Sequence, residues 1–157
     1  MKIQAHDVGD DPTNPRYCLA QLTVEEFYKF WPHISEMMDD VPHTWRYWTK
    51  DYVTASVEMG SLVTWVIGPP PDAIFVFFTQ IAQYPVGKAL TIPWGAGTFR
   101  EDMLPLLDAT LTQHAQMNDC FEMQVMGRAG WEKPFEPIGF KKTTTILTRP
   151  VPNTRIQ

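Results

Sequence analysis

Basic charge is scarce in this sequence. Lys and Arg total 13 against 18 Asp and Glu, a formal net charge of -5, so there is no cationic surplus to neutralise phosphates and nucleic acid is not expected as the main partner. Cysteine is scarcer still. Cys18 and Cys120 lie far apart with no CxxC spacing, which points away from zinc and thiol-redox chemistry and towards two buried reduced thiols. No apolar run approaches the ~20 residues of a membrane helix. The opening "MKIQAHDVGDDPTNP" has no apolar core of a secretory signal, so the expectation is a cytosolic protein or part of an intracellular assembly. Repeats and low-complexity blocks are also missing. His33, Glu36, Asp40 and His43 have near-helical spacing, but they fall on the polar side of a surface helix bracketed by prolines, and no metal is expected there.

Apolar and aromatic residues are plentiful. Of 157 residues, 44% are hydrophobic, with 6 Trp, 9 Phe and 5 Tyr, a length and composition that suit one globular domain with a sizeable core. Residues 1–16 and 149–157, rich in Pro and polar residues, read as an arm and a tail without a packing surface of their own, either mobile or docked on something larger. Residues 17–148 form the domain.

Within it, "YCLAQL" reads as a strand, and Thr23 with Glu26 forms a capping box that starts a helix. Phe27, Phe30, Trp31, Ile34, Met38 and Val41 make its apolar stripe, with a kink expected at Pro32. A second helix over "HTWRYWTKDYVTASVEMG" places Trp45, Trp48, Tyr52, Ala55 and Met59 on one face and stops at Gly60. Three strands joined by short turns follow, "SLVTWVI", "IFVFFTQIAQY" and "ALTIPW", which implies an antiparallel meander. Then come a helix over "MLPLLDATLTQHAQM", a strand "CFEMQVM" in parallel crossover, and a β-branched segment "KKTTTILT" expected to close the sheet. The fold class is α/β (α+β): a mixed, mostly antiparallel twisted sheet of about six strands with helices on both faces.

The stretch "TIPWGAGTFRED" carries the chemical question. A strand, a glycine turn and a helix start together can cradle a phosphate. Gly95 and Gly97 equally suit a tight turn or bulge that passes close to another backbone. If Thr98 caps the helix, Glu101 completes a capping box and Pro105 falls inside the helix; if Pro105 opens it, the glycines lie too far upstream to share its amides. The acidic pair Glu101 and Asp102 disfavours a nearby dianion, and Arg100 offsets only one charge. As a general base, Glu58, Glu122, Glu136 and His114 are candidates. Glu122, beside Gln124 on one strand face, is the least arbitrary.

The order of elements, together with "GRAGWEKPFEPIGFKKTTTILTR" and its Gly139-Phe140, resembles the GNAT superfamily of acetyl-CoA-dependent N-acyltransferases. Through "EMGSLVTWVI", "TQIAQYP" and "GRAGW" the chain is most similar to short GNAT-like proteins of tailed bacteriophages. The resemblance spans roughly residues 18–148. It implies acetyl-CoA as cofactor, with the pyrophosphate at Trp94, Gly95, Ala96, Gly97 and Thr98. Arg128 would either reach a CoA phosphate or pair with a carboxylate where the strands splay. Two positions depart from the family pattern. Ile92 stands where a Gln or Arg anchor belongs, and Phe135 stands nearest to the Tyr that protonates the leaving thiolate. The implied function is therefore a GNAT-fold protein with an eroded site, its acetyl-CoA binding weak or absent. It would serve as a structural or assembly component of a phage particle, located in the virion or host cytoplasm, with protein partners and room for homo-oligomers. The alternatives are an active N-acetyltransferase acting on a protein or small amine, and a non-catalytic modulator of a host protein.

Overall fold

The computed structural model describes residues 2–4, 16–41, 44–68, 73–127 and 129–152. Six strands lie side by side in chain order: β1 (Lys2–Gln4), β2 (Cys18–Gln21), β3 (Val63–Gly68), β4 (Phe75–Tyr84), β5 (Gly87–Gly97) and β6 (Cys120–Val125). β1 through β5 are antiparallel, whereas β6 runs parallel to β5. The parallel step follows from the intervening helix, which carries the chain back to the starting end of the sheet.

Helices cover both faces. On one side lie α1 (Val24–Asp40) and α3 (Lys50–Glu58), which bury Phe27, Ile34, Met38, Val53 and Val57 against Val66, Phe78, Trp94 and Ala96. On the other, α4 (Leu104–Met117) sets Leu106, Leu107 and Leu111 on Leu19, Trp65, Ile67, Phe77 and Leu90. Each fully buried side chain of this size contributes about 1.5–3 kcal/mol, so the two clusters fix the sheet between its layers.

The expected capping box forms as read: the Glu26 amide donates to Thr23 Oγ1 at 3.2 Å and the Thr23 amide to Glu26 Oε2 at 2.9 Å. α1 runs on through Pro32, and Phe30 of the expected stripe is exposed. Four further expectations need correction. The second helix is two, α2 (Thr44–Tyr47) and α3, because the Thr49 hydroxyl accepts from the Tyr52 amide and starts a new helix. That cap rotates the buried face to Val53, Ser56 and Val57, leaving Tyr52 and Met59 exposed. Residues 141–148 form no strand; the sixth strand is instead β1, inside the segment read as an arm. The cysteines are free as expected, but half-buried rather than buried.

A candidate acyl-CoA site at the parting of two strands

β5 changes partners along its length. Its first half pairs on both sides, from Lys88↔Cys120 to Ile92↔Val125 with β6 and through Thr91↔Gln80 with β4. At Ile92 and Pro93 the register with β4 slips, so that Trp94 faces Phe78 while Thr91 faces Gln80. Two residues of β5 thus oppose Thr79 alone, a bulge that suits Pro93, which has no N–H for the ladder. The last bond to the β6 side is from the Met126 amide to the Ile92 carbonyl, 3.0 Å. Beyond it, residues 93–97 pair with β4 only, and β5 and β6 part.

The residues implied to hold pyrophosphate lie on this one-sided stretch. Trp94 is buried against Phe78, ring centroids 5.3 Å apart, and its Nε1 donates to Thr44 Oγ1 at 3.1 Å. Ala96 is buried on the same face. Gly95 pairs with Phe77, and a Cβ there would lie 2.8 Å from Cζ of Phe75. Gly97, at φ +105°, pairs with Phe75, and a Cβ there would lie 2.2 Å from the Ile74 carbonyl oxygen. That same oxygen accepts from the Thr98 amide at 2.7 Å. The glycines thus sit where neighbouring atoms leave no room for a side chain. Arg128 lies outside the described residues.

Aromatic rings cover the parting on the α4 side. Trp131 lies over Gly127, whose Cβ would meet its Cδ1 at 2.8 Å. It also touches Phe75 at 5.9 Å and Phe99 at 5.4 Å between centroids. Phe99 stacks on Phe135 at 5.7 Å, and Phe140 meets Phe135 edge-on at 5.4 Å. Phe135 is the last residue of α5 (Glu132–Phe135) and is buried. The turn after it ends at Gly139 in the left-handed conformation, so the Gly-Phe signature closes this helix as read.

The α4 start resolves the two registers. Thr98 caps nothing; a single 3-10 turn over Glu101–Met103 leads into α4, and Pro105 falls in its first turn. Asp102, in that lead-in, accepts from the Tyr17 hydroxyl at 2.9 Å and pairs with Arg16 at 3.0 Å and Arg100 at 3.4 Å. Desolvation pushes the Asp102 carboxyl up, but the Tyr17 hydrogen bond and the two guanidinium groups outweigh it and hold it below its ordinary value. Tyr17 is shifted upward, first by burial and then by the same bond. The helix start therefore already has a carboxylate and two cations engaged with one another.

The candidate bases are not brought together. Glu122 is exposed on β6, where Gln124 Nε2 donates to it at 2.7 Å and the Tyr84 hydroxyl donates to Gln124 at 3.1 Å. Four residues separate it from Met126, where the strands part, about 13 Å at strand rise. Glu58 ends α3 and accepts from the Tyr28 hydroxyl, which raises the Tyr28 pKa. Glu136 is exposed after α5, and His114 lies on α4 with its ring edge-on to Trp65 at 5.2 Å. His43 of the near-helical His/Glu/Asp set lies outside the described residues. Sequence reasoning missed the Tyr17–Asp102 bond and the rings over the parting. Phe99, two residues after Gly97, offered the only signal.

Solved acetyltransferase structures resemble this chain over most of its length. A predicted acetyltransferase from Clostridium acetobutylicum, solved with acetyl-CoA, superposes with TM-score 0.62 at 11% identity, covering 85% of this chain and 96% of that one. The fold is that of the GNAT acetyltransferases. Aminoglycoside N-acetyltransferase AAC(6')-Iy in complex with CoA gives 0.62 at 14% identity, covering 87% and 95%. Glucosamine-6-phosphate N-acetyltransferase from Arabidopsis thaliana gives 0.61 at 14%, covering 85% and 97%. No family model matches the sequence, and no curated protein matches it significantly.

Proposed function

We propose that this chain is a GNAT-fold protein whose acyl-CoA site has eroded and whose work is protein binding, as a virion or assembly component of a tailed phage. The observation that carries the reading is close packing at the glycines, where a Cβ would meet the Phe75 ring at Gly95, the Ile74 carbonyl at Gly97 and the Trp131 ring at Gly127. Pyrophosphate needs free amides and positive potential at a helix start. Here the Thr98 amide is spent on Ile74, and Asp102 supplies a negative charge at that start, engaging Arg16 and Arg100. Phe135 has no proton to give a leaving thiolate. The residues present do not fit the cofactor, so no catalytic step is derived through it. The phage assignment rests on the sequence resemblance.

Isothermal calorimetry with acetyl-CoA tests the reading: no heat of binding is expected, and micromolar affinity would overturn it. Copurification with virions tests the assembly role. The alternative, an active N-acetyltransferase, draws support from the persistence of the strand parting at Ile92 and Met126. Acetyl-CoA turnover on a broad amine panel that disappears in Gly97→Trp would establish it. Silence across the panel would sink it.

A further inference from the structure

α1 and α3 cover only half of the sheet face on which they sit. Their cluster takes in Val66, Val76, Phe78, Trp94 and Ala96, and no residue from 80–91 or from β6. Leu90 and Ile92 face α4, so alternation turns Ala89 and Thr91 to the uncovered half, together with their direct partners Glu122 and Gln124. Tyr84 of β4 reaches across β5 on this face: its hydroxyl donates to Gln124 Oε1 at 3.1 Å, and Gln124 Nε2 donates to Glu122 Oε1 at 2.7 Å.

β6 is bulged beside this relay. Lys88 pairs with Cys120 and Ala89 with Glu122, so Phe121 is the extra residue, and a bulge of this kind re-aims its side chain. The Phe121 ring lies over Gly87, its Cδ1 3.2 Å from where a Cβ would stand, and Gly87 is the cross-strand partner of Tyr84. Two rings, Tyr84 at 37% and Phe121 at 54% exposure, thus border the carboxylate. Its charge has no counterpart nearby. β4, β5 and β6 carry one base among them, Lys88, which lies on the α4 side with Leu90 and donates to the Asn118 carbonyl at 3.1 Å. Among the described residues no cation pairs with Glu122.

We propose that Glu122, Tyr84 and Phe121 form a docking site for an arginine side chain of a protein partner. A guanidinium is planar, so it lies against an aromatic face while it donates two parallel bonds to a carboxylate, and an ammonium lacks that flat fork. The relay from Tyr84 through Gln124 orients the carboxylate before a partner arrives, which lowers the ordering cost of binding. Glu122 is about 13 Å along β6 from the parting at Met126, so an arginine seated there leaves the parting untouched. The inference rests on the reading of this chain as a protein-binding GNAT fold. Micromolar affinity for acetyl-CoA would overturn that reading and leave this site standing, whereas the site fails on its own if arginine is not held.

NMR of the isotope-labelled full chain tests it with the peptide acetyl-Gly-Arg-Gly-amide and with an analogue in which uncharged citrulline replaces the arginine. The arginine peptide should shift the Gln124 side-chain amide and the backbone amides of Phe121 and Glu122 in the millimolar range. The citrulline peptide should bind roughly tenfold more weakly, and Glu122→Gln should cost the arginine peptide about the same factor. Phe121→Leu, which keeps the charge and removes one ring, should cost about threefold. Both substituted positions are exposed, and the comparison of the two peptides on the unaltered chain decides even where a variant fails to fold. An absence of shifts, shifts centred elsewhere, equal binding of the two peptides, or full affinity in a folded Glu122→Gln would overturn the proposal.

Discussion

The two halves of β5 differ in sequence and in partners. From Gly87 to Ile92 the strand has partners on both edges, and both of its faces are buried from Ala89 to Ile92. From Pro93 to Gly97 it has one partner, and the bulge reverses the alternation: Leu90 and Ile92 face the α4 side, whereas Trp94 and Ala96 are buried on the α1 side with the two glycines opposite. In the paired half, side chains supply the packing. In the parted half, glycines receive it, because Phe75 and Ile74 come in over them. A glycine pair after a strand thus marks a close approach, and whether a ligand or the protein's own atoms make that approach is decided elsewhere in the chain.

Gly97 gives the sharpest way to break this comparison. Gly97→Ala puts a Cβ against a backbone oxygen at a positive φ, and should lower stability by roughly 3 kcal/mol, adding strain to overpacking. Gly139→Ala is the control: its φ of +95° is similar but nothing lies within 4 Å, so about 1 kcal/mol is expected. Urea unfolding of both variants reads the difference. Equal losses would mean that the approach of Ile74 contributes nothing.

Gly95→Ala should cost less, about 1–3 kcal/mol, because the obstacle is the far end of the Phe75 ring rather than backbone. Shortening that ring should relieve it, so a double-mutant cycle of Gly95→Ala with Phe75→Leu is expected to show favourable coupling. Additive losses would separate Gly95 from Phe75 and return the glycine to a ligand-binding explanation.

What was legible in the sequence was local. The Thr23–Glu26 box, the Gly60 and Gly139 stops and the strand runs of the meander all depend on residues a few positions apart, and the structure has them. The packing that distinguishes the parted half depends on partners from other elements. Phe75 covers Gly95 because register sets Phe77 opposite it, and Asp102 meets Tyr17 across 85 positions. The segment 141–148 shows the reverse failure: its composition reads as a strand, but a strand also needs an edge, which composition cannot assign, and none forms there. The break at Thr49 lies inside a stretch in which the apolar spacing of Trp45, Trp48 and Tyr52 reads as a single helix.

Trp94 offers a smaller effect on the parted half. Trp94→Phe keeps the ring contact with Phe78 and removes the bond to Thr44, whose hydroxyl still donates to the Val41 carbonyl at 3.0 Å. About 1 kcal/mol is expected in urea unfolding. A loss of 3 kcal/mol or more would mean that Trp94 is itself a wedge holding the strands apart.

The smallest expected effect lies under the paired half, at His114, packed on Trp65 of the central sheet. Burial lowers its pKa, so the folded protein prefers the neutral ring and binds a proton less readily than the unfolded chain. Stability is therefore full above the ordinary imidazole value of about 6.5 and falls as pH drops from there towards the lowered folded value. Asp102, also lowered, loses its share only below the ordinary carboxylate range, so the two steps separate on a pH axis. Thermal unfolding followed between pH 7.5 and 3 should show a shallow upper step that vanishes in His114→Gln while the acid step remains. An upper step that persists without the imidazole would place the titrating group elsewhere, and α4 would then pack over Trp65 without any charge penalty.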